Sequence, residues 1–306
     1  MNKATDRRFA GYEIEALIGR GGMADVFRAR TLDGPRAGQV VALKRLRPEL
    51  ATDRQYLELF HREAAITCRL HHPTCIEVIE TGVVGGTPFI VMEYVDGRNL
   101  RQILNQCIER KILLPLDFSA FLAHKVAEAL SHAHDGADAN GVPLGIVHCD
   151  VSPSNVFISR LGEVKLGDFG VALAVGADMP TAFGFGKIHY LAPEQIRGER
   201  PTPATDIFAL GAMTFELLTN AHAFPGRDVN EVGQAILAGR LRAPSEVRPE
   251  VPFDLDVLVL RCLARHPAER WPSSGAFADE IATRYDPAIG TPLAIASVVR
   301  GLFGLH

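Results

Sequence analysis

Three glycines lie close together near the start of the chain, at Gly19, Gly21 and Gly22 in the run IGRGGMADV. They fall between two segments that have the residue pattern of β-strands. Because glycine has no Cβ atom, the backbone of such a turn can approach a phosphate group closely. The run does not match a dinucleotide-binding or P-loop fingerprint, since a strand follows it and it has no Gly-Lys-Ser/Thr ending. Taken alone, it is also compatible with an ordinary glycine-rich hairpin.

A lysine stands inside the apolar segment VVALK at positions 40–44. If Lys44 is buried in a strand, it needs a partner of opposite charge. Glu63, in the helical segment FHREAA, is the candidate partner. The alternative is a lysine at a strand end in water and a glutamate on a solvated helix face.

The most informative segment is IVHCDVSPSNVFI, at positions 146–158. It contains His148, Asp150 and Asn155 in the order HxDxxxxN. The triplet DFG follows, beginning at Asp168, and then the triplet APE, ending at Glu194. Each triplet alone can arise by chance, whereas the ordered set with the glycine-rich turn, VALK and a helix glutamate is far more specific.

This ordered set resembles a bacterial serine/threonine protein kinase of the eukaryotic-like (Hanks) type, over residues from about 12 to 285. The resemblance implies an α+β fold with two lobes: a small β-rich N-lobe at 12–95 and a larger α-helical C-lobe at 96–285. It also implies transfer of the ATP γ-phosphate to serine or threonine hydroxyls of protein substrates, in signal transduction.

The resemblance also assigns roles to the residues already named. Lys44 is expected to contact the α- and β-phosphates and to be held by Glu63, while the glycine-rich turn covers the phosphates. Asp150 is expected to orient the substrate hydroxyl and to accept its proton. Asn155 and Asp168 are expected to bind Mg²⁺, or Mn²⁺ in its place. These roles agree with the chemistry, because phosphoryl transfer depends on positioning and charge neutralisation and Mg²⁺ prefers oxygen ligands.

A nucleotide site follows from the same resemblance. Met92 is expected to control the depth of the adenine pocket, and the backbone of the hinge 93–95 to hydrogen-bond adenine. Val26, Ala42 and Phe157 are expected to sandwich the ring. The full set of expected nucleotide-binding residues is Ile18, Gly19, Gly21, Gly22, Val26, Ala42, Lys44, Met92, Glu93, Val95, Asp96 and Phe157.

Four further positions have expected structural or ribose-binding roles. Asp96 is expected to reach the ribose. Asp206, at the start of an apolar helix, is expected to accept hydrogen bonds from the backbone of the catalytic loop. Glu194 and Arg270 are expected to form an ion pair that holds the activation segment.

Several residues depart from the family pattern. Ala24 replaces the third glycine of the turn, and Cys149 replaces the arginine before Asp150; a buried structural thiol or a redox switch are the two interpretations of Cys149. Ser152 stands where the family has a catalytic lysine, and Lys187 where it has a threonine. We expect Lys187 to supply the charge that Ser152 lacks, close to Asp150; the alternative is that Lys187 points to solvent.

Three functions are therefore compared. An active protein kinase agrees with every motif. A pseudokinase or scaffold that binds nucleotide without efficient transfer is favoured by Ser152 and opposed by the retained motif residues. A small-molecule kinase of the aminoglycoside or choline type is opposed by the APE triplet and Arg270. Between Asp168 and Glu194 the hydroxyl residues are Thr181 and Tyr190, so we expect little dependence on phosphorylation of this segment.

The elements that must position these residues follow from hydrophobic periodicity. Strands are predicted at 12–18, 26–30, 40–45, 76–81 and 88–94, with a Gly85-Gly86 hairpin between the last two. Helices are predicted at 53–70, 100–108, 116–134, 208–218, 255–264 and 275–283. The change from strands to helices lies near Asp96-Gly97.

The ends of the chain have their own patterns. Residues 1–11 are an expected N-terminal extension without the apolar core of a signal peptide. The apolar stretch 292–305 is interrupted by Arg300 and is too short to cross a bilayer. This stretch predicts an amphipathic helix within the C-terminal segment 286–306, with Thr291 as N-cap and Pro292 at the first helical position. The helix is expected to pack on or near the kinase domain. The alternative is that it docks to a membrane or a partner.

The charge and cysteine content of the chain indicate which classes of partner it is expected to bind. The net charge of −4 gives no general electrostatic reason to bind nucleic acid or an anionic membrane. The 5 cysteines are odd in number and lack a CxxC spacing, so a reducing cytoplasm is expected rather than a disulfide framework. The expected partners are ATP and protein substrates. No sensor domain is recognisable, so regulation is expected from a homodimer, a regulatory protein partner or the domain's own surfaces.

Overall fold

The computed structural model describes residues 8–169 and 185–303. The chain divides into two compact units. Unit 1 comprises the chain up to His72 together with Ile76–Val95, and unit 2 comprises Pro73–Cys75 and the chain from Asp96 onward. The division after Val95 falls where the sequence pattern changes from strands to helices.

Unit 1 is built on a six-stranded antiparallel sheet with the order β1-β2-β3-β4-β6-β5. Its strands are β1 (Arg8–Phe9), β2 (Tyr12–Arg20), β3 (Ala24–Thr31), β4 (Val40–Leu46), β5 (Val78–Val84) and β6 (Thr87–Glu93). Gly85 and Gly86 join β5 to β6, and both have positive φ, 56° and 79°. A two-residue hairpin of this type requires that conformation, which glycine adopts without strain.

The two faces of this sheet pack differently because successive residues of a strand point to opposite sides. Helix α1 (Arg54–Thr67) covers one face and packs through Phe60 on Ala24 and Leu46. Lys44 is two residues from Leu46 on β4 and therefore lies on the same face. The opposite face carries a separate core of Tyr12, Ala29, Val41, Leu43, Phe89 and Val91.

Unit 2 is mainly helical. Its helices are α2 (Leu100–Arg110), α3 (Leu116–Asp135), α4 (Phe185–Ile188), α5 (Pro193–Ile196), α6 (Pro203–Thr219), α7 (Val229–Ala238), α8 (Pro244–Val247), α9 (Phe253–Cys262), α10 (Ser274–Ile281) and α11 (Pro292–Phe303). A small antiparallel sheet, β7-β8-β9, consists of Gly97–Asn99, Val156–Ser159 and Val164–Leu166. The segment between β8 and α3 carries the catalytic motif.

Helix α6 is the central helix of unit 2 and is buried on nearly every side, as its continuous apolar sequence predicts. It packs against α3 and α9. The Thr205 hydroxyl accepts the Thr202 backbone N–H at 3.0 Å at the start of the helix, and Pro203 occupies the first turn. Asn220 ends the helix in the left-handed conformation, with φ of 59°.

Several elements of the structure were not predicted from the sequence, among them the short helices α4, α5 and α8 and the strands β8 and β9. Helix α7 was not predicted. Strand β7 was not predicted either, because three residues form a strand only through pairing with a distant one, here Asn99 with Phe157. Part of the expected N-terminal extension belongs to the sheet, since Phe9 pairs with Tyr12 and its ring packs edge-on to Phe89 at 5.5 Å.

Helix α11 begins at Pro292, as predicted. The Thr291 hydroxyl lies 3.3 Å from the Ala294 backbone N–H that it caps. The helix packs on α2 and buries Ile295, Ala296, Val299 and Leu302. Within the two described ranges, no helix is both long and apolar enough to span a bilayer.

Candidate active site

The catalytic segment, residues 148–155 of unit 2, is held by Asp206 of α6. One carboxylate oxygen of Asp206 accepts the His148 backbone N–H at 2.7 Å, and the other accepts that of Cys149 at 2.8 Å. The ring of His134, from α3, lies 2.8 Å from the same carboxylate. This arrangement supports the strained backbone at Cys149, whose φ is 66°.

Asp150 and Asn155 are joined by two hydrogen bonds. The Asn155 side-chain amide donates to the Asp150 backbone carbonyl at 2.8 Å and to its Oδ2 at 3.0 Å. Because the amide NH₂ group is used in this way, the amide oxygen of Asn155 remains as a ligand for a cation. The Asn155 backbone carbonyl accepts the Gly167 N–H at 2.9 Å, which brings the DFG segment beside the catalytic segment.

Asp168 follows directly, and its φ of 57° lies in the left-handed region that non-glycine residues rarely adopt. The neighbouring residues anchor this turn. A His148 ring nitrogen lies 3.0 Å from the Gly167 carbonyl oxygen, and the His148 and Phe169 rings are 4.5 Å apart. Phe169 is fully buried. The carboxylate of Asp168 and the amide oxygen of Asn155 are the hard oxygen donors that suit Mg²⁺.

Lys187, at the end of the short helix α4, forms an ion pair with Oδ2 of Asp150. The Lys187 side chain is 44% exposed and that of Asp150 is 9% exposed. This is the proximity expected from the sequence. Ser152 is buried, and its hydroxyl has no hydrogen-bond partner among the described residues. The lysine charge beside Asp150 therefore comes from residue 187 and not from the catalytic segment.

In unit 1 the strand register brings several expected nucleotide-binding residues onto one face. Val26 on β3 pairs with Lys44 on β4, and Ala42 pairs with Met92 on β6. Cross-strand partners share a face, so these four side chains lie on the same side as α1. Lys44 is buried and forms an ion pair with Glu63 of α1, which is also buried.

The glycine-rich turn joins β2 to β3. The Gly21 N–H donates to the Ala24 carbonyl at 2.8 Å, and the Arg47 guanidinium donates to the Gly21 carbonyl. Gly19, Gly21 and Gly22 do not have the positive φ that would require glycine there. An added Cβ atom would meet the Ala24 carbonyl oxygen at 3.2 Å at Gly21, but nothing within 4 Å at Gly22. Ile18, beside the turn, is 47% exposed.

The remaining nucleotide candidates fall at the end of unit 1 and in unit 2. Glu93 exchanges hydrogen bonds with Glu77, and Val95 is half-buried. In unit 2, Asp96 is exposed and lies 3.4 Å from the Arg160 guanidinium. Phe157 pairs with Lys165 and Asn99 in the small sheet. The candidate residues thus form two groups, one in each unit.

The expected ion pair between Glu194 and Arg270 is present and buried. The guanidinium binds both carboxylate oxygens, at 2.6 and 2.8 Å, and Thr205 donates to the same carboxylate at 3.0 Å. Burial alone would raise the pKa of Glu194, but Arg270 lowers it below the ordinary value. Thr181, a hydroxyl noted from the sequence, lies outside the described residues.

Sequence reasoning missed several residues around the site. The Gln195 amide donates to the Cys149 carbonyl at 3.0 Å, and burial, followed by the nearby Asp206 and Asp150, raises the pKa of the Cys149 thiol. A thiol in this state is unreactive, which disfavours a redox switch. A polar cluster is also present, and two of its members, His189 and Tyr190, follow Lys187 closely in sequence. The cluster consists of Arg101, His189, Tyr190, Glu216 and His222. No local sequence signal marks such contacts, because each joins distant segments.

The chain is similar in sequence to known protein kinases. A family model described as "Protein kinase domain" matches residues 12–281. Tyrosine-protein kinase MasK of Myxococcus xanthus is 34% identical over 277 residues, covering 90% of this chain and 43% of the relative. Probable serine/threonine-protein kinase PknB of Corynebacterium glutamicum is 37% identical over 283 residues, covering 88% and 41%. The chain therefore spans less than half of either relative.

Among solved structures, the kinase domain of Mycobacterium tuberculosis PknI is similar, with a TM-score of 0.68 and 29% sequence identity. The likeness covers 93% of this chain and 100% of that chain. It agrees with an α+β fold in which a sheet-containing unit precedes a helical unit.

Proposed function

Because the chain belongs to the protein kinase domain family, we propose that it transfers the γ-phosphate of ATP to a serine or threonine hydroxyl of a protein substrate. The observation that carries this proposal is the connected group Asp150, Asn155 and Asp168. Asn155 donates to Oδ2 of Asp150, and its backbone carbonyl accepts the N–H of Gly167, the residue before Asp168. The three residues are thus held close together, as phosphoryl transfer to a hydroxyl requires.

The proposed roles follow from the contacts. Asp150 receives both the Asn155 amide and the Lys187 ammonium on Oδ2, and Oδ1 is then the oxygen that accepts the proton of the substrate hydroxyl. Lys44, fixed by Glu63, contacts the α- and β-phosphates. Mg²⁺, or Mn²⁺, would be held by Asn155 and Asp168 and would neutralise phosphate charge when bound.

Lys187 is proposed to replace the family's catalytic-segment lysine. Its ammonium is already beside Asp150 in the ion pair described above. A cation held there stabilises the negative charge that develops on the phosphoryl oxygens during transfer. Lys187 then compensates for the serine that stands at position 152 in place of lysine. This removes the main argument for a pseudokinase.

We further propose that the enzyme works in the cytoplasm, since its 5 cysteines are free thiols and a reducing compartment keeps thiols free. A homodimer or a regulatory protein partner is the proposed source of control.

A transfer assay tests the proposal directly. The protein is incubated with γ-labelled ATP, Mg²⁺ and generic protein substrates, and labelled residues are identified by phosphoamino-acid analysis. Asp150→Asn is expected to lower turnover by about 10²–10⁴-fold, the usual contribution of a general base. Asp279→Asn, an exposed aspartate on α10, is the matched control and is expected to keep wild-type turnover.

The outcomes separate the competing functions. Label on phosphotyrosine instead of phosphoserine or phosphothreonine would correct the acceptor class, which matters because the two relatives are named for different acceptors. Nucleotide binding without transfer to any protein would support a pseudokinase. Transfer to aminoglycosides or choline, but not to proteins, would support the small-molecule alternative.

A further inference from the structure

Two imidazole rings are stacked beside the segment that carries Lys187. The centroids of the His189 and His222 rings are 3.7 Å apart, and the ring planes are inclined by only 9°. His189 is 4% exposed, whereas the His222 side chain is 37% exposed. His222 therefore covers His189, and the catalytic roles proposed above use neither ring.

The stacked pair rests on a buried ionic cluster. The Arg101 guanidinium binds both oxygens of the Glu216 carboxylate, at 2.7 and 3.0 Å. The Tyr190 hydroxyl donates to the same carboxylate and contacts Arg101. The His222 ring stands edge-on to Tyr190, with centroids 6.2 Å apart, and its Nδ1 lies 3.9 Å from Glu216.

This cluster fixes the backbone from which Lys187 extends. The Tyr190 N–H donates to the Lys187 carbonyl at 3.1 Å, and the Leu191 N–H donates to the Ile188 carbonyl at 3.2 Å. Segment 187–190 is thus a tight turn whose last two side chains are anchored in the cluster. Moving His189 or Tyr190 would move the turn and, with it, the ammonium that pairs with Asp150.

We propose that His189 and His222 act as an acid-sensitive clamp that positions Lys187 against Asp150. Residues of this kind are positioning residues, because neither ring contacts the reacting groups. The proposal rests on the role proposed for Lys187 in phosphoryl transfer. In the neutral form the rings stack and cover the cluster, and protonation of either ring weakens the clamp.

The charges around the rings explain the acid sensitivity. The groups facing them are Glu216 from α6, Arg101 from α2 and Tyr190 from the same segment. Glu216 and Arg101 already neutralise each other, and burial raises the pKa of Tyr190, which stays protonated. Glu216 and the Phe224 backbone favour an added proton on His189, but burial and the neighbouring His222 oppose it more strongly.

The pKa values of both rings agree with this picture. Burial, and then the neighbouring His222, lowers the pKa of His189 to about 4. Burial also lowers the pKa of His222, with Glu216 opposing the shift and Arg101 adding to it. A histidine with a depressed pKa contributes stability that is complete above the ordinary value of about 6.5 and is lost as the pH falls toward the folded-state value. The closed clamp should therefore lose stability progressively as the pH falls from about 6.5 toward the folded-state pKa of His189, about 4.

The pH dependence of kcat/KM tests the clamp. His222→Phe keeps a flat ring for stacking but cannot be protonated. Between about pH 7.5 and 5.5, its kcat/KM is expected to fall at least about threefold less than that of the wild type. His222→Ala removes the ring and is expected to lower kcat at both pH values. His266→Phe, an exposed histidine of the same unit, is the matched control and should follow the wild-type profile.

A second readout does not depend on transfer. The protection of segment 186–192 against hydrogen exchange, corrected for the intrinsic pH dependence of amide exchange, is expected to fall on acidification in the wild type and to stay high in His222→Phe. If the wild type transfers phosphate but both readouts of His222→Phe match those of the wild type, the clamp is rejected and the proposed function stands. If no protein is phosphorylated at any pH while hydrogen exchange shows the expected difference, the clamp stands and the proposed function is rejected.

Discussion

At Asp150, two donors from different parts of the chain converge on one carboxylate oxygen. The Asn155 amide and the Lys187 ammonium both bind Oδ2. The two donors orient the carboxylate, and in the proposed function Oδ1 then accepts the proton of the substrate hydroxyl. One side chain thus combines a fixed orientation with a neighbouring positive charge, which are the two contributions expected of a preorganised site.

Replacing Lys187 by methionine tests the charge at this residue. Methionine keeps most of the side-chain length but has no ammonium, so kcat is expected to fall by about tenfold to a thousandfold, the range for a lost electrostatic group. Steady-state kinetics with Mg²⁺-ATP measure this directly. The matched control is Lys165→Met, since Lys165 lies on β9 and has no proposed role; near-normal kcat in Lys187→Met would reject the assignment.

The double variant Ser152→Lys with Lys187→Thr restores the family arrangement. Because the replacement lysine would then extend from the catalytic segment itself, kcat is expected to recover part of the loss seen in Lys187→Met. The comparison needs thermal unfolding curves for all variants, so that a folding defect is not counted as a loss of catalysis. A double variant that folds normally but is no more active than Lys187→Met would show that the two positions are not interchangeable.

Among the elements, α5 is anchored by a buried ion pair. Glu194 lies on α5, and the Arg270 side chain is completely buried against it. Arg270 also donates to the backbone carbonyls of Ala264 and Ala204, at 2.9 and 2.8 Å. The guanidinium therefore joins α5, the start of α6 and the segment after α9.

Breaking this pair is expected to be costly. Arg270→Met leaves the Glu194 carboxylate buried without its partner and should lower the free energy of unfolding by about 3–5 kcal/mol. Urea unfolding at neutral pH measures the change, and Arg265→Met, at an exposed position nearby, is the control. A cost below about 1 kcal/mol would place Arg270→Met among surface substitutions and contradict the structural role.

The pH dependence of this pair has a definite sign. Arg270 depresses the pKa of Glu194 in the folded state. A depressed carboxyl pKa stabilises the fold above the ordinary value of about 4.5, and this stabilisation is lost as the pH falls through the folded-state value. The difference in stability between the wild type and Arg270→Met should therefore shrink on acidification.

For the molecule as a whole, the family match ends at residue 281, but unit 2 continues beyond it. Helix α11 buries four apolar side chains, and the Arg110 guanidinium donates to the Gly301 carbonyl at 3.1 Å. The Arg98 guanidinium also lies over the Phe303 ring, 5.2 Å from its centroid. The segment after the family domain is thus part of the folded unit.

A pair of leucines on α11 tests this extension of the domain. Leu302 is 6% exposed and Leu293 is 74% exposed. Leu302→Ala should therefore cost about 2–5 kcal/mol of stability, as for other buried leucines, whereas Leu293→Ala should cost close to nothing. Chemical denaturation of both variants measures the difference. Equal effects would mean that α11 does not pack on unit 2 in solution.

The sequence by itself predicted which residues carry the chemistry and determined most of the elements that hold them. Lys44, Asp150, Asn155 and Asp168 were predicted because they stand in the ordered motifs that resemble a protein kinase. The strands and long helices followed from hydrophobic period, which is a local property of the chain. The expected proximity of Lys187 to Asp150 came from the family resemblance. The two residues are 37 positions apart in the chain, so only folding brings them into contact.

Only the tertiary structure decided which side chains that are distant in the sequence contact one another. The stacking of His189 on His222 and the use of one Asp150 oxygen by two donors depend on turn geometry and on packing against α6. Strand β7 exists only because β8 lies beside it. Such contacts are set by the balance of burial and hydrogen bonding over the whole unit, so no local pattern in the sequence specifies them.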